Sequence, residues 1–544
     1  MINRKRLTIV VAFLMTMVLL AGMVAWGQDE HKYGGTLYFR AGQEPPGLIP
    51  PLTGNWTDLY VYGFCSETLA WGGLGFPAEL RPVLAKSWDV SEDGKVWTLH
   101  LREGVKWHDG VPFTADDVVF WAEAQMDPAF GAAYGIDLFY VNGEPLKFEK
   151  IDDLTVRVTA VAPVRNLLAQ IAIPLIPKHP FEGWALEDIV NHPMNQTGCL
   201  GTGPFIPEYR PDEGVIILTA FEDYWGGRPY LDRIVMRIIP DDEAGLAALQ
   251  TGEIDWSYVW TSQMDIVKQL EGISYWIQES GDSARIMAIN SSKPMLADER
   301  TRQAIMYALD RETMLDNIQQ GYGQVMASPW FGDMCSAYEP LTPYEYNPTK
   351  ASELLAAVGW VPGGDGILVA QNVEGVEPGT RFSIEYHTRS TNDAYAIFAQ
   401  QYLGAVGIEV TQVTMDRATY SALNNPGVTP KAFDLRVAGY GSKGVDAASY
   451  TQLYGTSALN SSWDFEDPIC QAVFAYASGL LTQEEADVYY KAIAEYIWEK
   501  VPAAFLWTRV WIYAWNEKVH VDEAVLNAQM FTVFENPAKI WIED

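Results

Sequence analysis

Cysteine is scarce in this chain, four in 544 residues, and none forms a CxxC pair or sits beside a histidine at zinc-ligand spacing. That excludes a structural zinc module and a disulfide-dense miniature scaffold. Basic residues are few as well: 37 Lys plus Arg stand against 70 Asp plus Glu, a net charge of −33. So acidic a chain repels phosphate backbones and anionic headgroups, which excludes nucleic acid and charged lipid as partners held by bulk charge. There are seven histidines. No low-complexity tract, heptad or short solenoid repeat occurs, and GxSxG, HExxH and SxxK motifs are missing, so the common hydrolase nucleophile and zincin signatures are excluded.

What is present is an ordinary globular composition, 48% apolar and 20% charged, in a chain too long for a single core. Two or three lobes are expected. The start, MINRKRLTIVVAFLMTMVLLAGMVAWGQDE, has a basic segment from Asn3 to Arg6, an apolar run, and small Ala25 and Gly27 before polar Gln28. This reads as a secretory signal over residues 1–27, directing the mature chain across the cytoplasmic membrane to the periplasm. The run from Leu7 to Trp26 could also just span a bilayer, so an uncleaved membrane tether is the alternative. The first cysteine is Cys65, which leaves no N-terminal Cys for a lipid anchor. In an oxidising compartment four cysteines allow three disulfide connectivities or free buried thiols.

Local patterns define several elements. GGTLYFRA reads as a strand, and the Pro-rich EPPGLIPPLTGNW after it cannot be helical. In VWTLHLR, Trp97, Leu99 and Leu101 alternate with polar neighbours behind an SEDGK hairpin turn. GVKWHDGVPFTADDVVFW places His108 and Asp109 seven residues ahead of Asp116 and Asp117. A metal site would need further converging ligands, whereas Thr114 as N-cap with Asp117 three residues on forms a capping-box variant. The pair is therefore read as a turn followed by a helix start, with no metal. A helix around Glu243 to Gln250 ends at Gly252, and DERTRQAIMYALDRETMLDNI carries a helical apolar pattern. TRFSIEYHT, a helix through DAYAIFAQQYLGAVG, and IEVTQVTM follow strand, helix, strand order, a βαβ unit in a mixed sheet.

Together these segments resemble the family 5 extracellular solute-binding proteins, ligand receptors of ABC importers. The likeness is carried by GGTLYFRAGQEPPGLIPPL, LAKSWDVSEDGKVWTLHLREGVKWHDGVPFTADDVVF, GTGPF, YWGGRPYLDRIVMRIIPDDEAGLAALQTGEID, RQAIMYALDRE and YNPTKASELLAAVGW, in that order. The resemblance implies an α/β, two-lobed periplasmic-binding-protein clamshell of the large type II, cluster C kind, with an accessory third domain. It places domain I at residues 28–72, 199–288 and 511–544, domain II at 73–198 and domain III at 289–510. Domains I and III grip the ligand. It further implies that any disulfides join Cys335 to Cys470 and Cys65 to Cys199.

The same likeness points to ligand residues. GYGSKG at 439–444 matches GxGxxG after the strand-like FDLRVA, but an exported protein meets little dinucleotide, and the loop is expected to line the cleft, with no cofactor. Peptide-binding members carry an acid there that pairs with the peptide's α-amine. Here Lys443 holds that place, and Asp446 could substitute only if the loop shifts. Tyr440 and Ser442 are expected contacts, as are Arg389 and Asn392 of HTRSTND, where capping by Asn392 or Asp393 is the competing role. The chain has 20 tryptophans. Trp56, Trp256, Trp260, Trp330, Trp463, Trp507 and Trp511 fall near the expected cleft; Trp56 is a ligand-contact candidate, and Trp330, Tyr440 and Trp463 are the leading stacking candidates. Flat indole faces suit pyranose rings. The sequence reading is therefore a non-enzymatic, monomeric receptor for a short β-linked oligosaccharide that it delivers to ABC permease subunits. A peptide receptor is the alternative within the family, and an exported glycoside hydrolase the alternative outside it.

Overall fold

The computed structural model describes residues 32–72, 80–133, 135–278, 283–332, 335–416, 419–420, 423, 432–441, 446–454, 465, 467–521 and 536–543. The expected signal segment, Ser442, Lys443 and Trp463 lie outside them. Among the described residues no helix is long and apolar enough to cross a membrane.

Three sheets, each with its own core, account for the architecture. The first has seven strands in the order Phe205–Arg210, Val215–Ala220, Arg233–Ile238, Thr36–Ala41, Trp256–Tyr258, Trp511–Asn516 and Ile273–Gln278. Its central strand, the expected GGTLYFRA element, runs parallel to Arg233–Ile238 and buries Leu37, Phe39 and Ala41. The second has four antiparallel strands, Ala85–Val90, Val96–Leu101, Thr155–Thr159 and Lys147–Asp152. Here Trp97, Leu99 and Leu101 face inward as their alternation requires. The third has five strands, Glu409–Thr414, Ser383–Thr388, Leu435–Gly441, Ser283–Ile289 and Ala503–Thr508. The βαβ unit lies at its edge, with Ser383–Thr388 parallel to Glu409–Thr414 and helix Ala394–Ala405 between them.

Two details differ from the sequence reading. The expected domain I limit at residue 288 falls inside strand Ser283–Ile289, which belongs to the five-stranded sheet. The chain therefore changes sheet between Gln278 and Ser283, where one strand ends and the next begins. The helical pattern of DERTRQAIMYALDRETMLDNI is two helices, Glu299–Ala308 and Arg311–Gln319. Asp310 interrupts it by capping the second, its side chain accepting from Thr313 N–H at 3.0 Å.

The HDG turn and the helix after it are scaffold. Helix Ala115–Met126 starts at Thr114, whose N–H donates to Asp117 Oδ2 at 2.9 Å. Asp117 Oδ1 accepts from Lys178 N–H at 2.9 Å. His108 is buried with both ring nitrogens on backbone: Nδ1 accepts from Gly201 N–H at 3.1 Å and Nε2 lies 3.0 Å from Gly203 O. That sidedness fixes the neutral tautomer and ties the four-stranded lobe to GTGPF. Glu67 strengthens the junction by accepting from Thr202, Tyr224 and Trp225. Among the described residues no group of three or more His, Cys, Asp or Glu could hold a metal.

All four cysteines are buried free thiols. Cys65 and Cys199 face each other with sulfurs 3.4 Å apart, the neighbours that oxidation would join. Cys335 and Cys470, the other pair that any disulfide was expected to join, are both free thiols in the third core.

Burial pushes the His108 imidazole down from 6.5 to about 4, because the cation cannot be solvated there. In the window between those values the unfolded chain takes up a proton that the fold refuses. The stability this group contributes is thus complete above pH 6.5 and lost as the pH falls toward 4, about 2–3 kcal/mol by pH 4.5. Urea unfolding at pH 7 and 4.5 should show a His108→Gln variant losing that much less on acidification than the parent. Equal losses would contradict the assignment.

Candidate functional site

The chain passes between the seven- and five-stranded sheets at two adjacent places. Ile273–Gln278 leads to Ser283–Ile289, and Ala503–Thr508 leads to Trp511–Asn516. The crossings are held together, since Gln278 pairs with Trp511, Ala284 pairs with Thr508, and Arg509 N–H donates to Ser283 O at 2.8 Å. A two-stranded crossing is the geometry of a hinge, and the side chains around it come from both lobes.

The floor of this site is aromatic on the seven-stranded side. Trp511 is buried, with Trp56 against it at 5.0 Å between ring centroids and Tyr258 at 5.8 Å. The Arg509 guanidinium lies over the Trp511 ring at 4.3 Å, and its charge bears on the Tyr258 hydroxyl. From the five-stranded side come Arg285, opposite Gly439 in the sheet, and Tyr395, stacked on buried Trp507 at 5.6 Å. A Cβ on Gly439 would stand 2.5 Å from Arg285 Nη1 and 3.8 Å from Arg509 Nη1, so the glycine lies beside the ends of two flexible arginine side chains.

The sequence-derived candidates separate. Trp56 is half-buried at the hinge floor. Tyr440 is half-buried at the end of its strand, opposite Ala284. Arg389 is exposed, its guanidinium 5.5 Å above the Tyr420 ring. Asn392 is exposed and is not the cap of the following helix; Asp393 is, accepting from Tyr395 and Ala396. Ser442 and Trp463 lie outside the described residues. Trp330 is not a stacking platform. It is 1% exposed, packed by Tyr450, Tyr454 and Phe474, because a residue flanked by Pro329 and Phe331 turns into the third core. Trp256 and Trp507 are likewise fully buried, whereas Trp260 is exposed.

Asp446 is engaged elsewhere. Its Oδ2 accepts from Arg165 at 2.5 Å and Asn166 at 2.8 Å, and its Oδ1 caps Ala448 N–H at 2.9 Å. Arg165 also donates to the carbonyls of Ala477 and Leu480, so this carboxylate joins the four-stranded lobe to the five-stranded one. It does not offer itself to a ligand amine.

Residues 79–462 match the model of the bacterial extracellular solute-binding proteins, family 5. The chain belongs to that family. Among its relatives, the heme-binding protein A of Haemophilus influenzae is 27% identical, covering 78% of each chain. The oligopeptide-binding protein AppA of Bacillus subtilis is 28% identical, covering 78% of this chain and 77% of its own. The structure of AppA with a nonapeptide superposes with a TM-score of 0.79 at 24% identity over 94% of this chain and 100% of that one. For the Listeria monocytogenes substrate-binding protein CtaP the TM-score is 0.80, again at 24% identity, over 94% and 100%.

For a family 5 member, the informative residues missed in the sequence are Arg285 and Arg509. Both carried a signal. Arg509 is the single charge in AAFLWTRVWIYAW, and Arg285 interrupts the otherwise apolar ARIMAI. A charge inside a buried strand pattern needs a partner or a purpose.

Reassigning Trp330 to the core has a measurable consequence. Trp330→Ala should cost about 3–5 kcal/mol of unfolding free energy, read by urea denaturation. A variant as stable as the parent would contradict the burial.

Proposed function

We propose that this family 5 protein is the receptor of an ABC importer that captures a short peptide at the hinge between its two lobes and passes it to membrane permease subunits. The observation that carries a peptide over an oligosaccharide is the fate of the tryptophans. Three of the indoles the sugar reading drew on, Trp256, Trp330 and Trp507, are spent on packing, and beside half-buried Trp56 the hinge presents arginine and tyrosine. That mix suits a ligand with amide backbone and charge better than a stack of neutral pyranoses. The relatives support the same choice: AppA is named for oligopeptides and the Escherichia coli relative, 31% identical over 345 residues, for dipeptides.

A glycoside hydrolase would require two carboxyls flanking a substrate, one with a raised pKa. Among the described residues the carboxyls that burial raises are Glu67, to about 7, and Asp58, to about 6. Both are structural, Glu67 at the lobe junction and Asp58 in the capping box of helix Trp56–Cys65. In this reading residues 1–27 export the chain, the mature protein is a periplasmic monomer, and lobe closure on the ligand is the signal to the permease.

The test is a thermal-shift panel of two- to nine-residue peptides and of β-linked oligosaccharides. A peptide at a hundred times its dissociation constant should stabilise the protein by about 2.7 kcal/mol, with no sugar shift. Stabilisation by sugars and none by peptides would reverse the choice.

A further inference from the structure

Two of the buried arginines are answered within one lobe. Arg302 donates to the carbonyls of Leu296, Ala297, Lys500 and Val501, and Arg311 to those of Met326, Tyr344 and Phe505, all around the five-stranded sheet. Arg165 is answered across a boundary. It stands on the four-stranded accessory lobe, between strand Thr155–Thr159 and helix Leu167–Gln170, and its side chain is 6% exposed. Among the described residues the four groups that accept from its guanidinium all belong to the five-stranded lobe: Asp446 Oδ2 at 2.5 Å, Leu480 O at 2.8 Å, and Ala477 O and Gln483 Oε1 at 3.2 Å. A cation this enclosed needs such partners, and here another lobe supplies them.

The residues beside Arg165 repeat the pattern. Asn166 Nδ2 donates to Asp446 Oδ2 at 2.8 Å and to Gln483 Oε1 at 3.3 Å. Leu481 packs on the turn of the SEDGK hairpin, where a Cβ on Gly94 would stand 2.4 Å from Leu481 Cδ2. The receiving side is arranged by its own lobe. Asp446 accepts from Ala448 N–H at 2.9 Å, and Gln483 donates to Ser336 Oγ at 2.9 Å and to Asp487 Oδ1 at 2.7 Å. The turn from Ala477 to Gln483 joins helices Pro468–Ser478 and Gln483–Lys500, which both pack in the third core, so it moves with that core.

The accessory lobe is fastened to the seven-stranded one through His108 and Glu67, whereas the five-stranded lobe is joined to the seven-stranded one by the hinge crossings. Rotation at the hinge carries Asp446 and the Ala477–Gln483 turn away from Arg165 together. The separated groups regain water, and because the desolvation cost of a buried ion pair largely offsets its attraction, the contact can open and remake. We infer that Arg165, Asn166 and the Gly94 turn latch onto Asp446 and the Ala477–Gln483 turn, so that the accessory lobe biases this receptor toward its closed form before ligand arrives. The accessory lobe is then part of the closing device, beside the two lobes that grip the ligand. Latching raises the closed fraction, and with it the apparent affinity for every ligand by one factor, so the inference does not depend on that ligand being a peptide.

The experiment is small-angle X-ray scattering from the purified chain without ligand, comparing the parent with Arg165→Gln, Asp446→Asn and the double variant. Each single variant should have a radius of gyration larger than the parent's by about 1 Å, on the roughly 24 Å of a compact chain this long. The double variant should expand no further than either single one, since both remove the same contact. Asp446→Asn keeps a side-chain oxygen for the Ala448 N–H and leaves the carbonyl bonds of Arg165 in place, so it decides the matter if Arg165→Gln folds poorly. A joint that merely supports the fold would lower the melting temperature without expanding the molecule. Folded variants with the parent's radius of gyration would therefore overturn the latch, whatever their loss of stability, as would a double variant that expands by the sum of the two.

Discussion

Two short backbone crossings, hydrogen-bonded to each other through Arg509 N–H and Ser283 O, are what the rest of this structure depends on. They are the places where the chain passes between the seven- and five-stranded sheets. Gly323 presses against the Thr508 carbonyl and Gln324 N–H bonds the Thr508 hydroxyl, so one crossing is braced from the five-stranded lobe. Contacts between lobes away from the hinge, such as Arg165 with Asp446 and Thr261 with Gln319, then set how far closure goes.

The accessory lobe is joined more rigidly, and the cause is chemical. His108 spends both nitrogens on the GTGPF backbone, Glu67 gathers three donors, and Gly201 has no room for a Cβ against the Cys65 carbonyl. These groups would be costly to desolvate singly, and as a set they satisfy one another. The stretch that first suggested metal chemistry is therefore a joint. A ligand need not pay to order a surface that is already locked, so the free energy of binding can be directed to the hinge.

Much of the fold was legible because its signals are local. Alternation marked Val96–Leu101, Thr114 and Asp117 marked a helix start, and the βαβ unit showed in strand, helix, strand order. The sheet change between Gln278 and Ser283 was not legible, since a strand leaving one sheet and a strand entering another have the same residue pattern. The break at Asp310 was missed because the apolar period continues through it while the cap does not. The site was read less well than the fold. Tryptophan serves a core and a ligand face by the same apolar area, so Trp330 and Trp56 look alike in sequence and only packing separates them. Arg285 and Arg509 stood out as charges in apolar runs, but their meaning depends on converging over Gly439 from segments more than two hundred residues apart.

The central claim is that a peptide ligand is held at the hinge, between residues of both sheets. A crystal structure of the protein with a bound peptide tests it most directly. The account predicts the peptide at the hinge, with Tyr258 and Trp56 on one side and Tyr395 on the other. A peptide bound away from the hinge, with none of these side chains against it, would contradict it.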